Sequence, residues 1–268
     1  MDTLIRKALL YLLALFLSVA GCEDLVHAQD SARVATTQAQ PAPHPDGSLI
    51  EPITLEYETS VEAQGRQMSM TGRRTIGAAT HEGRAVWKIV DRNTSGMTGG
   101  ADTVMVDRQT LAPVQRSVAG QGRLMIAYTD TSVSGTMQAR GRSVSIDASF
   151  EPPIFGNGPG LELALAALPL DSTYATALRV FNPTEQRVRT MTLEVTGTRT
   201  VQVPGGTFKA YVADLASEDG NQSETLYLKQ SAPHHVVRGE SDLPPQMGSG
   251  SATRVLTRME AGVTSGGE

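Results

Sequence analysis

The sequence predicts a mainly β protein: a curved antiparallel sheet or β-barrel-like domain of many short strands, with one short mid-domain helix. Three observations predict it. From Glu51 onward, apolar and polar residues alternate with a period of two. Turn signals cut that alternation into short runs, at a spacing of roughly 8–12 residues. A stretch near the middle switches to helical spacing. Alternation, as opposed to continuous apolar runs, also argues against a parallel α/β sheet.

The chain begins with a leader over residues 1–28. Arg6 and Lys7 precede an apolar run over 8–19. That run is shorter than the ~20 residues a stable membrane span needs, and its layout is that of a secretory signal peptide. Two cleavage readings compete. Val19-Ala20-Gly21-Cys22 reads as a lipobox, in which the Cys22 thiol takes a diacylglycerol and becomes the lipid-attachment residue. Val26-His27-Ala28 reads as an ordinary signal cleavage site, with Cys22 a chance residue in a discarded peptide. Cys22 is the only cysteine and sits where the apolar run stops, which favours the lipobox. Glu23 follows it, which in Gram-negative lipoproteins resembles an outer-membrane address. The expected location is exported: the periplasm, or the periplasmic face of the outer membrane through a lipid anchor. A single cysteine excludes an intramolecular disulfide and CxxC zinc or redox chemistry.

Residues 29–49 read as a disordered tether, rich in Gln, Ala, Pro, Thr and Ser, which cannot bury enough apolar surface to offset its ordering entropy. The antiparallel β domain is expected over 50–261, with a flexible Gly-rich tail over 262–268. Leu55, Tyr57 and Thr59 alternate with Glu56, Glu58 and Ser60; Ala85, Trp87 and Ile89 with Val86, Lys88 and Val90. Leu124, Ile126 and Tyr128 share a face, as do Val144, Ile146, Ala148 and Phe150. Met191, Leu193 and Val195, then Phe208, Ala210 and Val212, continue the pattern. Later runs span 224–229, 235–240 and 253–260. Gln64-Gly65, Gly99-Gly100, Gly120-Gln121-Gly122, Pro204-Gly205-Gly206 and Asp219-Gly220-Asn221 mark turns. Leu161, Leu165 and Leu168 have helical spacing among strong helix formers, and Pro169 should end that helix. About eight strands precede it and six or seven follow, so it can plug one end of a curved sheet or mark a seam between two half-sheets.

The C-terminal half carries a resemblance. Val201-Gln202-Val203-Pro204-Gly205-Gly206-Thr207-Phe208-Lys209-Ala210-Tyr211 resembles the V-x-V-P-A-G-T-F-x-A-Y signature of the periplasmic domain-of-unknown-function 3108 family. Glu224-Thr225-Leu226-Tyr227-Leu228-Lys229 and Ala232-Pro233-His234-His235-Val236-Val237-Arg238 follow in the family's order. Upstream, Asp107-Arg108-Gln109-Thr110-Leu111-Ala112-Pro113 is similar to its D-x-x-T-L-x-P hairpin, and Leu168-Pro169-Leu170 to its L-P-L. Gly205 stands where the family usually has Ala. The resemblance covers roughly residues 100 to 240. It implies a curved antiparallel sheet, similar in outline to the half-barrels that carry lipoproteins across the periplasm, and it carries over no catalytic residue.

Composition and motifs narrow the function classes. The net charge of −5, with no basic stripe interleaved with aromatics, argues against a nucleic-acid partner. No catalytic set stands out, and no cofactor or metal is implied. His234 and His235 are adjacent, so on a strand they would face opposite ways and not ligate one metal; a turn-proximal surface pair is the expectation, and a site with His81 and a carboxylate the weaker alternative. No G-x-S-x-G elbow exists. Asp130-Thr131-Ser132 lacks the Gly and partner carboxylate of an aspartic-protease triplet. Gly156-Asn157-Gly158-Pro159-Gly160 lacks the Lys-Ser/Thr of a phosphate loop. The ten methionines read as core filling, or as the lining of a pliable apolar cleft. Trp87 reads as a core anchor. The expected function is a non-enzymatic envelope binding module for an apolar or amphipathic ligand, such as a lipid or acyl chain. A scaffold lipoprotein that binds another envelope protein is the first alternative, and a hydrolase the second.

Overall fold

The computed structural model describes residues 43–94, 100–120, 122–139, 141–220, 222–243 and 249–262. Cys22, the leader and most of the tether lie outside the described residues. Before the helix run eight strands: β1 (Ile53–Ala63), β2 (Arg66–His81), β3 (Arg84–Asn93), β4 (Ala101–Asp107), β5 (Pro113–Ala119), β6 (Arg123–Tyr128), β7 (Ser132–Ala139) and β8 (Arg142–Ser149). Helix α1 (Pro159–Ala166) follows. Six strands complete the chain: β9 (Ala175–Asn182), β10 (Arg187–Val203), β11 (Gly206–Ser217), β12 (Ser223–Lys229), β13 (Val236–Leu243) and β14 (Gly250–Ala261).

All fourteen strands join one antiparallel sheet in the order β8-β7-β6-β5-β4-β3-β2-β1-β14-β13-β12-β11-β10-β9. Consecutive strands are neighbours, and the two arms meet where β1 pairs with β14, with Tyr57 opposite Leu256. The outer edges are β8 and β9. They approach without forming a ladder. Gln186 Nε2, beyond β9, donates to the Ser145 carbonyl of β8 at 3.1 Å. Phe155 lies alongside β9 in a parallel bridge to Val180. An apolar cluster seals this seam, with Ile146, Ile154 and Phe181 buried together and Tyr128 edge-on to Phe181. The sheet is therefore curled and barrel-like, yet open.

Every strand reverses direction at its end, so the connections segregate to two ends of the curl. The β2–β3, β4–β5, β10–β11 and β12–β13 turns share one end with α1. Pro159 occupies the first turn of the helix, where no amide hydrogen is needed. Seven of the eight helix residues are buried; Glu162 is the polar one. Leu165 and Leu168 pack with Leu178, Leu193, Leu226 and Leu228 of the second arm. Leu163, Ala166 and Ala167 pack with Trp87, Ile89, Val104 and Val106 of the first. The helix thus plugs one end and joins both arms, as one of the two sequence readings anticipated.

The domain starts before residue 50. Gly47–Leu49 form a 3-10 turn capped by the Asp46 carboxylate, which accepts from the Ser48 amide at 2.9 Å. The Asp46 amide donates to the Ala167 carbonyl, and the Gly47 amide to the Gln109 carbonyl. Trp87 Nε1 donates to the Gly47 carbonyl at 3.3 Å, and Ile50 is buried in the same cluster. The tether expected to run to residue 49 is therefore structured from about Asp46, because the backbone polar groups of this stretch find partners on the plugged end. At the other terminus the Gly262 amide bonds the Pro52 carbonyl, so residue 262, expected in the tail, is tied to the domain.

The Pro204-Gly205-Gly206 turn shows why glycine suits that motif. A Cβ on Gly205 would stand 3.0 Å from the Leu256 carbonyl oxygen, which the Gly205 amide bonds at 2.9 Å. Gly206 has φ +136, which L side chains rarely adopt. The motif is structural: it fastens the β10–β11 turn onto β14.

Candidate ligand-binding site

Above the plug, on the inner face of the curl, lies a cavity of about 270 Å³. Its walls come from β1 to β5 on one side and from β12, β13 and β14 on the other, and Glu162 of α1 forms part of its floor. Room for it comes from small inner-face residues, Gly72, Gly239 and Ala252. Tyr57, Met70 and Val118 supply apolar wall.

The floor is charged. Glu162 accepts from Arg74 Nη1 at 2.7 Å and Nη2 at 3.2 Å, and from Arg254 Nη1 at 2.9 Å and Nη2 at 3.0 Å. Arg74 also grips Asp91, Nε to Oδ1 and Nη2 to Oδ2, both at 2.7 Å. Both guanidiniums sit over the Tyr57 ring, at 5.9 and 5.1 Å from its centroid, where the ring quadrupole attracts them. The Tyr57 hydroxyl donates to the Val236 carbonyl at 3.1 Å, and burial pushes its pKa up to about 12. Burial alone would raise the Glu162 carboxyl, but Arg254 and Arg74 outweigh it and hold its pKa at about 2. On the side wall, Arg116 is 2% exposed and paired with Asp102, Nε to Oδ1 at 3.0 Å and Nη2 to Oδ2 at 2.7 Å.

Glu224 differs from these carboxylates. It lines the cavity from β12, and its carboxyl makes no hydrogen bond or ion pair with any described residue. Burial raises its pKa; Arg254 pulls the other way and Glu162 adds to the rise. Its carboxyl lies over Gly239 of the neighbouring strand, where a Cβ would stand 2.6 Å from Glu224 Oε1 and the side chain would have to shift.

The candidates from the sequence fare unevenly. Cys22, the lipid-attachment candidate, lies outside the described residues. His234 and His235 are buried, at 6% and 4% exposure, so the expected surface pair is corrected. They occupy the β12–β13 connection, which folds beneath the helix. The His234 amide donates to the Ala166 carbonyl, its Nδ1 is 2.8 Å from the Lys229 carbonyl, and its ring meets Tyr211 edge-on. Burial, with Lys229 and Arg74 adding repulsion, lowers the His235 pKa to about 4. Asp130-Thr131-Ser132 is turn chemistry: the Thr129 and Ser132 hydroxyls bond each other at 2.7 Å. No group of three metal-ligating side chains occurs among the described residues. The methionines divide: Met191 is buried in the core, Met68, Met137 and Met259 are half-buried and pack against core clusters, Met70 and Met105 are half-buried, Met125 is 62% exposed, and Met97 lies outside the described residues. Met70 does line the cavity. The concave interior expected to be greasy is apolar over much of its wall and also carries a salt-bridged floor. Arg74, Asp91, Asp102, Arg116, Glu162, Glu224 and Arg254 were not singled out from the sequence.

A family model described as a protein of unknown function, DUF3108, matches residues 56–253. No curated protein matches the chain. Among solved structures, the chain resembles a β-barrel-like protein of another domain of unknown function, DUF1849, from Brucella abortus. Identity is 12%, TM-score 0.48, and coverage 82% of this chain and 99% of that one. It also resembles a candidate outer membrane lipoprotein-sorting domain from Vibrio parahaemolyticus (10%, TM-score 0.32, covering 81% and 87%). A candidate lipoprotein from Parabacteroides distasonis is similar at 12% identity, TM-score 0.30, covering 82% and 100%.

Proposed function

The chain belongs to the DUF3108 family of proteins of unknown function, and we propose that it is an exported, non-enzymatic envelope module that holds an amphipathic ligand in the cavity above α1. One observation carries this reading: the cavity lies between the two arms of a single curled sheet, apolar on part of its wall and charged on its floor. Tyr57, Met70 and Val118 suit a hydrocarbon portion, while the guanidiniums and carboxylates suit a polar end. All of the charged inner-face groups that meet there except Glu224 are engaged with one another as ion pairs, and Ser241 lines the cavity with no histidine beside it in the lining. That supports binding over a hydrolase.

The placement of the termini supports the envelope setting. Residues 46–50 dock on the plugged end, so a tether leading back to a lipidated Cys22 leaves from the side opposite the cavity. The scaffold alternative has less support, because the two free edges of the sheet face each other across the Gln186–Ser145 bond.

Native mass spectrometry of the chain purified from a bacterial envelope tests the reading. A co-purifying small amphiphile that disappears in Thr59→Phe, which fills the cavity from β1, is the expected result. A clean protein mass for both chains, with no ligand in either, would overturn it. Metabolic labelling with a radioactive fatty acid, compared with Cys22→Ala, decides the anchor.

A further inference from the structure

The inner-face charges of the cavity do not balance. Arg74, Arg116 and Arg254 face Asp91, Asp102, Glu162 and Glu224. Arg73 and Arg92 also border the cavity, but they alternate to the outer face. Arg73 is 51% exposed there and bound to Glu56; Arg92 is exposed. Each inner arginine is paired with a carboxylate: Arg74 with Asp91 and Glu162, Arg116 with Asp102 through Nε and Nη2 (its Nη1 bonds no described group), and both Nη atoms of Arg254 with Glu162. One carboxylate is left over, and it is the one that bonds no described residue.

Glu224 is half-buried, and a carboxylate withdrawn from water without a partner is costly, so folded chains normally pair it or let it take a proton. Nothing in the fold requires an acid here. Leu226 and Leu228, the next inner-face residues on β12, are buried apolar side chains, and a third would continue the pattern. The neighbouring strand carries Gly239 at a place where a Cβ would strike the Glu224 carboxyl. An acid kept without a side-chain partner, seated over a glycine and lining a cavity, has the arrangement of a recognition group.

We propose that Glu224 receives the cationic head of the ligand, and that the cavity selects an amphiphile bearing an ammonium group over an anionic or neutral one. The proposal rests on the cavity-binding reading above. The ammonium would donate its hydrogen bonds to the Glu224 carboxylate, bringing the inner-face charge to zero, while its chain lies along Val118 and Met70. Arg254, already shared with Glu162, repels the cation from the floor and so sets its depth.

The test uses three probes of equal chain length: octylammonium, octanoate and octanol, titrated calorimetrically into the exported chain at neutral pH. Octylammonium is expected to bind at least about tenfold more tightly than either of the others. Glu224→Gln, which keeps shape and removes charge, should erase that preference while leaving octanol binding unchanged. Glu224→Asp should retain part of it. Octanoate or octanol binding as well as octylammonium, or a preference that survives Glu224→Gln, overturns the assignment and leaves the cavity-binding reading standing. Failure of all three probes, in a chain whose thermal unfolding shows it folded, overturns both.

Discussion

The two ends of the same curled sheet are built on different principles. At the plugged end the inner-face residues are Leu, Val, Ile and Trp, packed onto α1 from both arms. At the cavity end the same alternation places Arg, Asp and Glu at inner positions, and stability there rests on paired charges. Apolar packing degrades gracefully, since neighbours relax into part of any space left. A buried ion-pair network does not, because removing one member strands the others without solvent. Glu162 belongs to both ends, being the one polar residue of the helix and the common acceptor of Arg74 and Arg254.

The largest expected effect follows from that position. Glu162→Ala leaves Arg254 without its carboxylate and Arg74 with Asp91 alone, and should cost about 3–5 kcal/mol. Chemical denaturation reads this directly. Leu165→Ala, at the fully buried centre of the plug, should cost somewhat less, about 3 kcal/mol, by lost transfer energy plus a cavity. A loss from Glu162→Ala smaller than that from Leu165→Ala would show that the cavity end is held by packing after all. Tyr57 and Ala252 would then be the residues to examine.

Acid should separate the two ends in a fixed order. His235 sits beneath the plug with its folded pKa lowered to about 4, below the ordinary value of about 6.5. The fold therefore favours neutral imidazole. The stability this contributes is complete above about pH 6.5 and is lost as pH falls toward 4. Glu162 is also depressed, to about 2, so its contribution persists until far lower pH. Between pH 6.5 and 4 the plugged end should weaken by on the order of 2 kcal/mol while the charged clamp holds. Melting temperatures across that window, compared between the natural chain and His235→Phe, test the order. Phe carries no titrating proton, so the acid-dependent part of the drop should shrink. An unchanged drop would move its origin elsewhere.

Much of this architecture was legible from the chain. The period-two alternation located the strands, and the leucine spacing with Pro159 and Pro169 located α1. The order of the strands follows from their being joined by short turns. The cavity was legible in principle through a finer signal. Arg74 is in phase with Met70 and Ile76, Asp91 with Trp87 and Ile89, and Asp102 with Val104 and Val106. Arg116 stands between Val114 and Val118, Glu224 before Leu226 and Leu228, and Arg254 between Ala252 and Leu256. Each is a charge on the oily phase of its own strand, and the six carry opposing signs. One such residue reads as a strand end. Six of them, at one level of a curled sheet, read as a charged interior, but that level is set by register across many strands, which no single strand reveals. The histidine pair was misplaced for the opposite reason. Its burial comes from a connection folding under the helix, and alternation says nothing about connections.

The smallest expected effect is also the most discriminating between the two ends, because its sign is reversed. In the ligand-free chain Glu224 is a carboxyl raised above its ordinary pKa by burial. A group raised in the fold stabilises at low pH, and that stability is lost as pH rises through the folded value. At neutral pH, then, the unpartnered Glu224 works against folding. Glu224→Gln should raise the melting temperature at pH 7, by an amount corresponding to about 1 kcal/mol or less, and change nothing below about pH 4. Glu162→Ala, in the lining of the same cavity, destabilises by several times as much. Two carboxylates of one cavity, removed in turn, should therefore move stability in opposite directions, the clamp downward and the recognition group upward. A melting temperature that falls at pH 7 in Glu224→Gln would mean that Arg254 needs that carboxylate, and the division between the residues that hold the cavity and the residue that waits in it would not stand.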